Sequence, residues 1–314
     1  MIRRSLIWPC IFASAVACFF QLSGSASAQD QRDFVIRSDV RLVLLDVAVK
    51  DHNGGLVGNL TRNDFTVLED GRPQNITAFA NDDVPVTVGL LVDESRSMLH
   101  NRNEVLAAAG SFIRTCNPRD EIFVLNFNDF VKRGLPAPML FSDNADQLRA
   151  ALDRGVPRGM TALNDAVVEG LDQLTLGNRE KKALVLISDG GDNASSHTRA
   201  EMFAKVEKSL ATIYTIGLRD ANDPDWNPHI LRRLAHISGG ESYFLDGPSG
   251  LKTICDQISQ EIRTRYTIGY KPPPGKSGVL RHIQVRVSAP GRSGLTARSR
   301  TSYLFEDTPD EANE

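Results

Sequence analysis

Five side chains carry the chemistry that this sequence can do. Val86 to Val92 is an apolar run rich in β-branched residues, and it stops at Asp93. Ser95 and Ser97 follow at alternate positions in Asp93-Glu94-Ser95-Arg96-Ser97. A carboxylate and two hydroxyls in a loop at a strand's carboxyl end can converge on one point. Hard oxygen donors of this kind suit Mg²⁺ or Mn²⁺. Thr161 opens the helix-like stretch T-A-L-N-D-A-V-V-E-G-L, and Asp189 closes a second apolar run, A-L-V-L-I-S. Each has a simpler reading. The serines and Thr161 are also good helix caps, and Asp189 before Gly190 and Gly191 is a good turn former. All of them falling at element boundaries favours a shared site.

The elements that must position them alternate. From Val86 onward, strand-like runs at 86–93, 121–127, 183–188, 212–217 and 242–245 are separated by stretches of helical period. Those stretches lie near 101–115, 145–152, 161–174, 199–210, 228–237 and 251–264. Such alternation predicts a parallel sheet covered by helices on both faces, with ligands beyond the strands' carboxyl ends. The flanks differ. Residues 39–80 and 265–305 read as strands and turns with no helix of useful length. Neither flank has enough strands to bury an apolar face by itself. The expectation is therefore an α/β protein: a doubly wound, mostly parallel sheet at 84–264, inserted in a small β-sandwich-like module built from 29–83 and 265–305. A charged tail, 306–314, completes the chain.

The set Asp93, Ser95, Ser97, Thr161 and Asp189 resembles the metal-ion-dependent adhesion site of the von Willebrand factor type A domain. Over roughly Phe34 to Phe305, flanks included, the chain looks more particularly like the bacterial VWFA-related family named from Acidobacteria. The resemblance implies that the three hydroxyls face the cation and that the two aspartates bind it directly or through water. It also implies that Mg²⁺, or Mn²⁺, takes a further ligand from a partner protein's Asp or Glu. One departure is evident. The family often has D-T-S-G-S here, whereas Glu94 and Arg96 fill the variable places. Arg96 brings a positive charge beside the expected cation, which bears on affinity and not on fold.

Met1 to Ala28 reads as a leader for export. Arg3 and Arg4 begin it, an apolar stretch follows from Leu6 to Phe20, and Ala26-Ser27-Ala28 offers a cleavage site. Localisation is then periplasmic or secreted, with a lipid anchor at Cys18 as the alternative. Its removal takes the formal net charge from −3 to −5, and no later apolar run is long enough to span a bilayer. A mild negative balance suggests no nucleic-acid surface. Cys116 and Cys255 remain, on helices that are neighbours in the resembling fold. A disulfide between them and two buried free thiols both stay open.

Function divides into three classes. The first is an exported, non-enzymatic binding module that grips a partner carboxylate through the cation. The second is a metal-dependent hydrolase, which needs a base beside the metal. The chain has no G-x-S-x-G, H-E-x-x-H or P-loop motif, and His197 with Asp192 reads more simply as polar rim. The third is a metal-free scaffold. Arg232, Arg233, Arg263 and Arg265 read as solvated helix faces, and Glu94 as a rim charge or a cap.

Overall fold

A computed structural model describes residues 42–219 and 226–306. The leader, its Cys18 alternative, residues 29–41 and the tail beyond Glu306 lie outside the described residues.

The chain begins in β1 (Val43–Lys50), β2 (Phe65–Glu69), β3 (Arg72–Gln74) and β4 (Ile76–Ala80). It then enters β5 (Val86–Asp93), in which every residue is buried, as expected of a strand covered on both faces. A 3-10 turn over Arg96–Asn101 leads into α1 (Arg102–Thr115). β6 (Glu121–Phe127), β7 (Val131–Arg133), α2 (Ala145–Asp153) and α3 (Leu163–Thr175) follow. β8 (Lys181–Ser188), α4 (Arg199–Lys208), β9 (Thr212–Leu218), α5 (Pro228–Ser238), β10 (Ser242–Leu245) and α6 (Leu251–Thr264) complete the α/β part. β11 (Tyr266–Tyr270), β12 (Val279–Val287), β13 (Thr296–Arg298) and β14 (Ser302–Phe305) return to the β flank.

The central sheet has the order β10-β9-β8-β5-β6-β7, parallel except for β7. From β5 the chain winds one way to β6, and from β8 it winds the other way to β9. The reversal leaves a crevice at the carboxyl ends of β5 and β8, where open α/β sheets take their ligands. The register pairs Val92 with Ile187, so Asp93 ends level with Ser188.

The flanks form two antiparallel sheets. One has the order β13-β1-β11-β4, in which strands of the two chain ends alternate, and the other β14-β12-β2-β3, in which a pair from each end meets at β12 and β2. Neither flank completes a sheet without the other. Val47, Val67, Phe65, Tyr266 and Ile268 belong to a second hydrophobic core between them, separate from the one around β5. The doubly wound sheet is thus an insertion in a β-sandwich. Its way in and way out meet at one carboxylate. Asp120 accepts from the Val86 backbone N–H at 2.8 Å and from Arg263 Nη1 at 3.2 Å.

Several side chains depart from expectation. Arg265 is not a solvated helix face. It is 3 % exposed, ion-paired with Glu261 at 3.1 Å, and donates to the Asp46 and Gly239 carbonyls. Arg263 is half-buried against Asp120. Arg232 and Arg233 are exposed, as expected, and lie over the rings of Phe244 and Phe203. Trp226 packs edge-on to Phe244 at 6.0 Å.

Cys116 and Cys255 are both free thiols, so the disulfide alternative is not realised. Their helices do pack together, side by side and parallel. Ser111 meets Asp256, and Ser259 meets the Thr115 carbonyl. Cys116 is therefore level with Ser259 and Arg263, one to two turns beyond Cys255. At about 1.5 Å of rise per residue that offset exceeds the span a disulfide bridges.

Candidate metal centre

Asp93 closes β5, and its carboxylate is fixed from two sides. Oδ1 accepts from the Ser95 backbone N–H at 2.8 Å, and Oδ2 accepts from Ser188 Oγ at 2.6 Å. Ser188 is the residue that motif reading missed. It ends the apolar run of β8, level with Asp93, and a lone hydroxyl at the close of such a run was its signal.

The serine loop turns back over the crevice. Ser95 starts the 3-10 turn but makes no side-chain cap bond. Its Oγ lies 3.0 Å from Ser97 Oγ instead. Ser97 Oγ in turn donates to Asp189 Oδ2, across 92 positions of sequence. Asp189 Oδ1 accepts from the Gly191 N–H at 2.9 Å. Four of the five expected residues thus form one hydroxyl–carboxylate string with Ser188. Asp93, Ser95 and Asp189 are each 2 % exposed, and Ser97 is half-buried.

Thr161 arrives by a different route. It is not the cap of α3, which begins at Leu163 after Ala162. Its N–H donates to Asn193 Oδ1 at 2.8 Å, and its carbonyl accepts from Asn193 and Ala194 N–H. Asn193 belongs to the loop that starts at Asp189, so Thr161 is held against that loop. Two residues earlier, the Gly159 carbonyl accepts from the Arg96 N–H at 3.3 Å. The three loops are therefore joined to one another by main-chain bonds. The Arg96 side chain itself is exposed.

Glu94 is neither rim nor cap. It is buried and ion-paired with Arg102 Nε at 3.0 Å. Arg102 Nη2 also donates to the Gly155 carbonyl at 2.7 Å, and the Arg158 N–H donates to the Glu94 carbonyl. This clamp joins the serine loop to the loop that delivers Thr161. Glu94 Oε1 is buried with no hydrogen-bond partner among the described residues. Burial raises the Glu94 pKa above the usual carboxylate value, with Arg102 offsetting part of the rise. The clamp needs glycine at 155, because a Cβ there would lie 2.0 Å from Oε1. Gly159 is similarly required, with φ +73° and a notional Cβ 1.9 Å from Asp129 Oδ2.

His197 and Asp192 do not form a base and its orienter. His197 Nδ1 lies 2.7 Å from Asp165 Oδ1, while Asp192 accepts from Asn164 and Ser195. Burial raises the Asp165 pKa, but N–H bonds from Ser196 and His197 and the His197 ring outweigh it and hold the carboxyl low. These groups lash the 189–198 loop to the start of α3.

The donors gathered at the switch point are the carboxylates of Asp93 and Asp189 and the hydroxyls of Ser95 and Ser97, with Thr161 tied to the Asp189 loop through its main chain. Among the described residues no three His, Cys, Asp or Glu gather as a metal site. An all-oxygen set with two negative charges matches a hard divalent cation and offers nothing to a soft one. The residues present fit Mg²⁺ or Mn²⁺.

No protein-family model matches this chain, and no curated protein matches it. Solved structures do. The chain is similar to a von Willebrand factor type A protein from Catenulispora acidiphila over 84 % of its own length and 74 % of that chain. The identity is 14 % and the TM-score 0.51. It is also similar to BatB from Bacteroides thetaiotaomicron, over 56 % of this chain and 97 % of that one, at 18 % identity and TM-score 0.46. A third likeness is to proximal thread matrix protein 1 of the mussel byssus, solved with a zinc-occupied MIDAS motif. That match covers 59 % of this chain and 50 % of the other, at 17 % identity and TM-score 0.48. The fold is that of a von Willebrand factor type A domain, set in a β-sandwich.

Proposed function

We propose that this protein is an exported binding module that holds a divalent cation at the β5/β8 switch point and engages a partner protein's carboxylate through it. Asp93, Ser95, Ser97, Thr161 and Asp189 would hold the ion. The single observation that carries the reading is the bond from Ser97 Oγ to Asp189, which joins two loops remote in sequence at the crevice where this fold takes ligands. Two carboxylates balance one divalent ion, and three hydroxyls add no charge. A carboxylate from outside is then an attractive further ligand. Export rests on the leader-like residues 1–28. Among the described residues no helix is long and apolar enough to cross a membrane.

Nothing beside the site favours hydrolysis. His197 is held by Asp165, and the carboxylate that Ser97 meets, Asp189, is one that this reading assigns to the cation. Calorimetric titration of the folded chain with MgCl₂ and MnCl₂ tests the reading. Saturable binding at one site, abolished in Asp93→Ala with the fold retained, is expected. No binding by the wild type sinks it and leaves the metal-free scaffold.

A further inference from the structure

Eleven large apolar side chains are well exposed among the described residues, and four of them stand on the loops around the candidate metal centre. Leu99 lies just after Ser97. Phe130 follows β6, and Val156 and Met160 sit on the loop leading to Thr161. They are between 49 and 55 % exposed. Main-chain and side-chain hydrogen bonds hold these loops together. The Ala162 N–H donates to the Asn128 carbonyl at 2.7 Å, Asn128 Nδ2 to the Val156 carbonyl at 3.3 Å, and the Met160 N–H to Asp129 Oδ1 at 3.1 Å. Gly159, between Arg158 and Met160, accepts from Arg96. The apolar side chains are thus carried on one laced rim and not scattered over the surface.

The same rim bears cations. The side chains of Arg96 and Arg158 are both exposed, while the nearby Glu94 is buried and neutralised by Arg102. With a divalent ion balanced by its two aspartates, the exposed Arg96, Arg158 and Lys132, the last over the Phe130 ring, outnumber the half-buried Asp129, which accepts from the Met160 N–H, so the balance of the rim is positive. An apolar patch ringed by polar groups marks an interaction site, and complementary charge selects its partner.

We propose that the rim reads the residues flanking the carboxylate, so that the partner is an acidic protein loop. Its Asp or Glu goes to the cation, a large apolar neighbour packs on Phe130 and Met160, and a second acid faces Arg96 or Arg158. This rests on the function proposed above and adds the partner's class. It gives a role to Arg96, whose charged side chain is exposed beside the serine loop.

Selection from a random cyclic-peptide library tests it, using the full chain loaded with Mg²⁺ and eluting with chelator. The expected winners carry an acid next to a large apolar residue, with a second acid nearby. Their affinity should fall about tenfold or more on Phe130→Ser/Met160→Ser with Mn²⁺ affinity unchanged, and severalfold on Arg96→Gly when both proteins are compared at saturating Mn²⁺. Winners with an acid but no apolar neighbour, or indifferent to these substitutions, overturn the inference and leave the cation site standing. Metal-bound protein that yields no chelator-released peptide overturns it too, as does metal-dependent self-association in sedimentation, which would assign the rim to a second copy. Failure to bind Mn²⁺ at all removes the underlying function, and this inference with it.

Discussion

Glu261 and Arg265 lie one helical turn apart and form a 3.1 Å ion pair that is almost wholly out of water. The pair sits where α6 ends and β11 begins. Arg298 of β13 bonds the same Glu261 carboxylate, and Lys50 of β1 approaches it at 3.4 Å. One buried carboxylate therefore gathers cations from both flanks of the β-sandwich onto the last helix of the inserted domain.

Acid should release this knot. Burial opposes the charge on Glu261, but Arg265 and Arg298 outweigh it and bring the carboxyl from 4.5 to about 2. A depressed carboxylate contributes stability that is complete above its unfolded value and is lost as pH falls from about 4.5 towards 2. Removing one partner of a buried pair leaves the other uncompensated, at about 3–5 kcal/mol. Glu261→Gln should therefore be destabilised by about that much at pH 7, with the gap to wild type narrowing below pH 4.5. Denaturant melts at pH 3, 5 and 7 check this, and a gap that ignores pH would refute it.

The Glu94–Arg102 clamp should be felt at the cation. Gly155→Ala places a methyl where Glu94 Oε1 lies, so it should displace the carboxylate from Arg102 and weaken Mn²⁺ binding. Glu94→Ala removes the obstacle along with the clamp. The two losses should then fall well short of adding in the double variant, because they act on one contact. Additive losses would show that Gly155 matters for another reason.

Ser188 Oγ donates to Asp93 Oδ2 and would orient that carboxylate towards a bound cation. Partners of this kind typically contribute about 10- to 100-fold in metal affinity. Ser188→Ala should weaken Mn²⁺ binding by about that factor while the thermal midpoint of the metal-free protein shifts little. An unchanged affinity would mean that the Ser95 N–H alone fixes the carboxylate.

Both cysteines should be silent in the native protein. Burial pushes each thiol up to about 12, so almost no thiolate exists at neutral pH. A thiol reagent at pH 8 should label neither one until denaturant is added, and then both without a reductant. Absence of label in denaturant would restore the disulfide.

Much of the fold was legible because its signals are local. β6 and β10 and the start of α4, α5 and α6 fall where periodicity, caps and Pro228 place them. The 3-10 turn before α1 was invisible, since Arg96–Asn101 carries no break in helical pattern. So were β3 and β13, three residues each and defined by pairing alone. The five site residues were readable as boundary residues of hard-donor type, and four of them lie in one bonded string. The supporting shell was not. Glu94 and Arg265 look solvated in sequence because charged residues usually are, and they are buried here by partners in other loops and strands. Their ion-pair partners, Arg102 and Glu261, are close in sequence, but the Gly155, Asp46 and Gly239 carbonyls that complete each buried cluster are not.

Asp120 holds the first residue of β5 and the last turn of α6 at a single carboxylate, so the inserted domain opens and closes at one point. That makes it a cassette. A short turn across the gap should let the β-sandwich close on itself without its passenger. The crevice with the serines stands at the other end of an eight-residue strand, about 25 Å away. The candidate site thus stands at the end of the inserted domain that points away from the sandwich, and its entry and exit stand at the other.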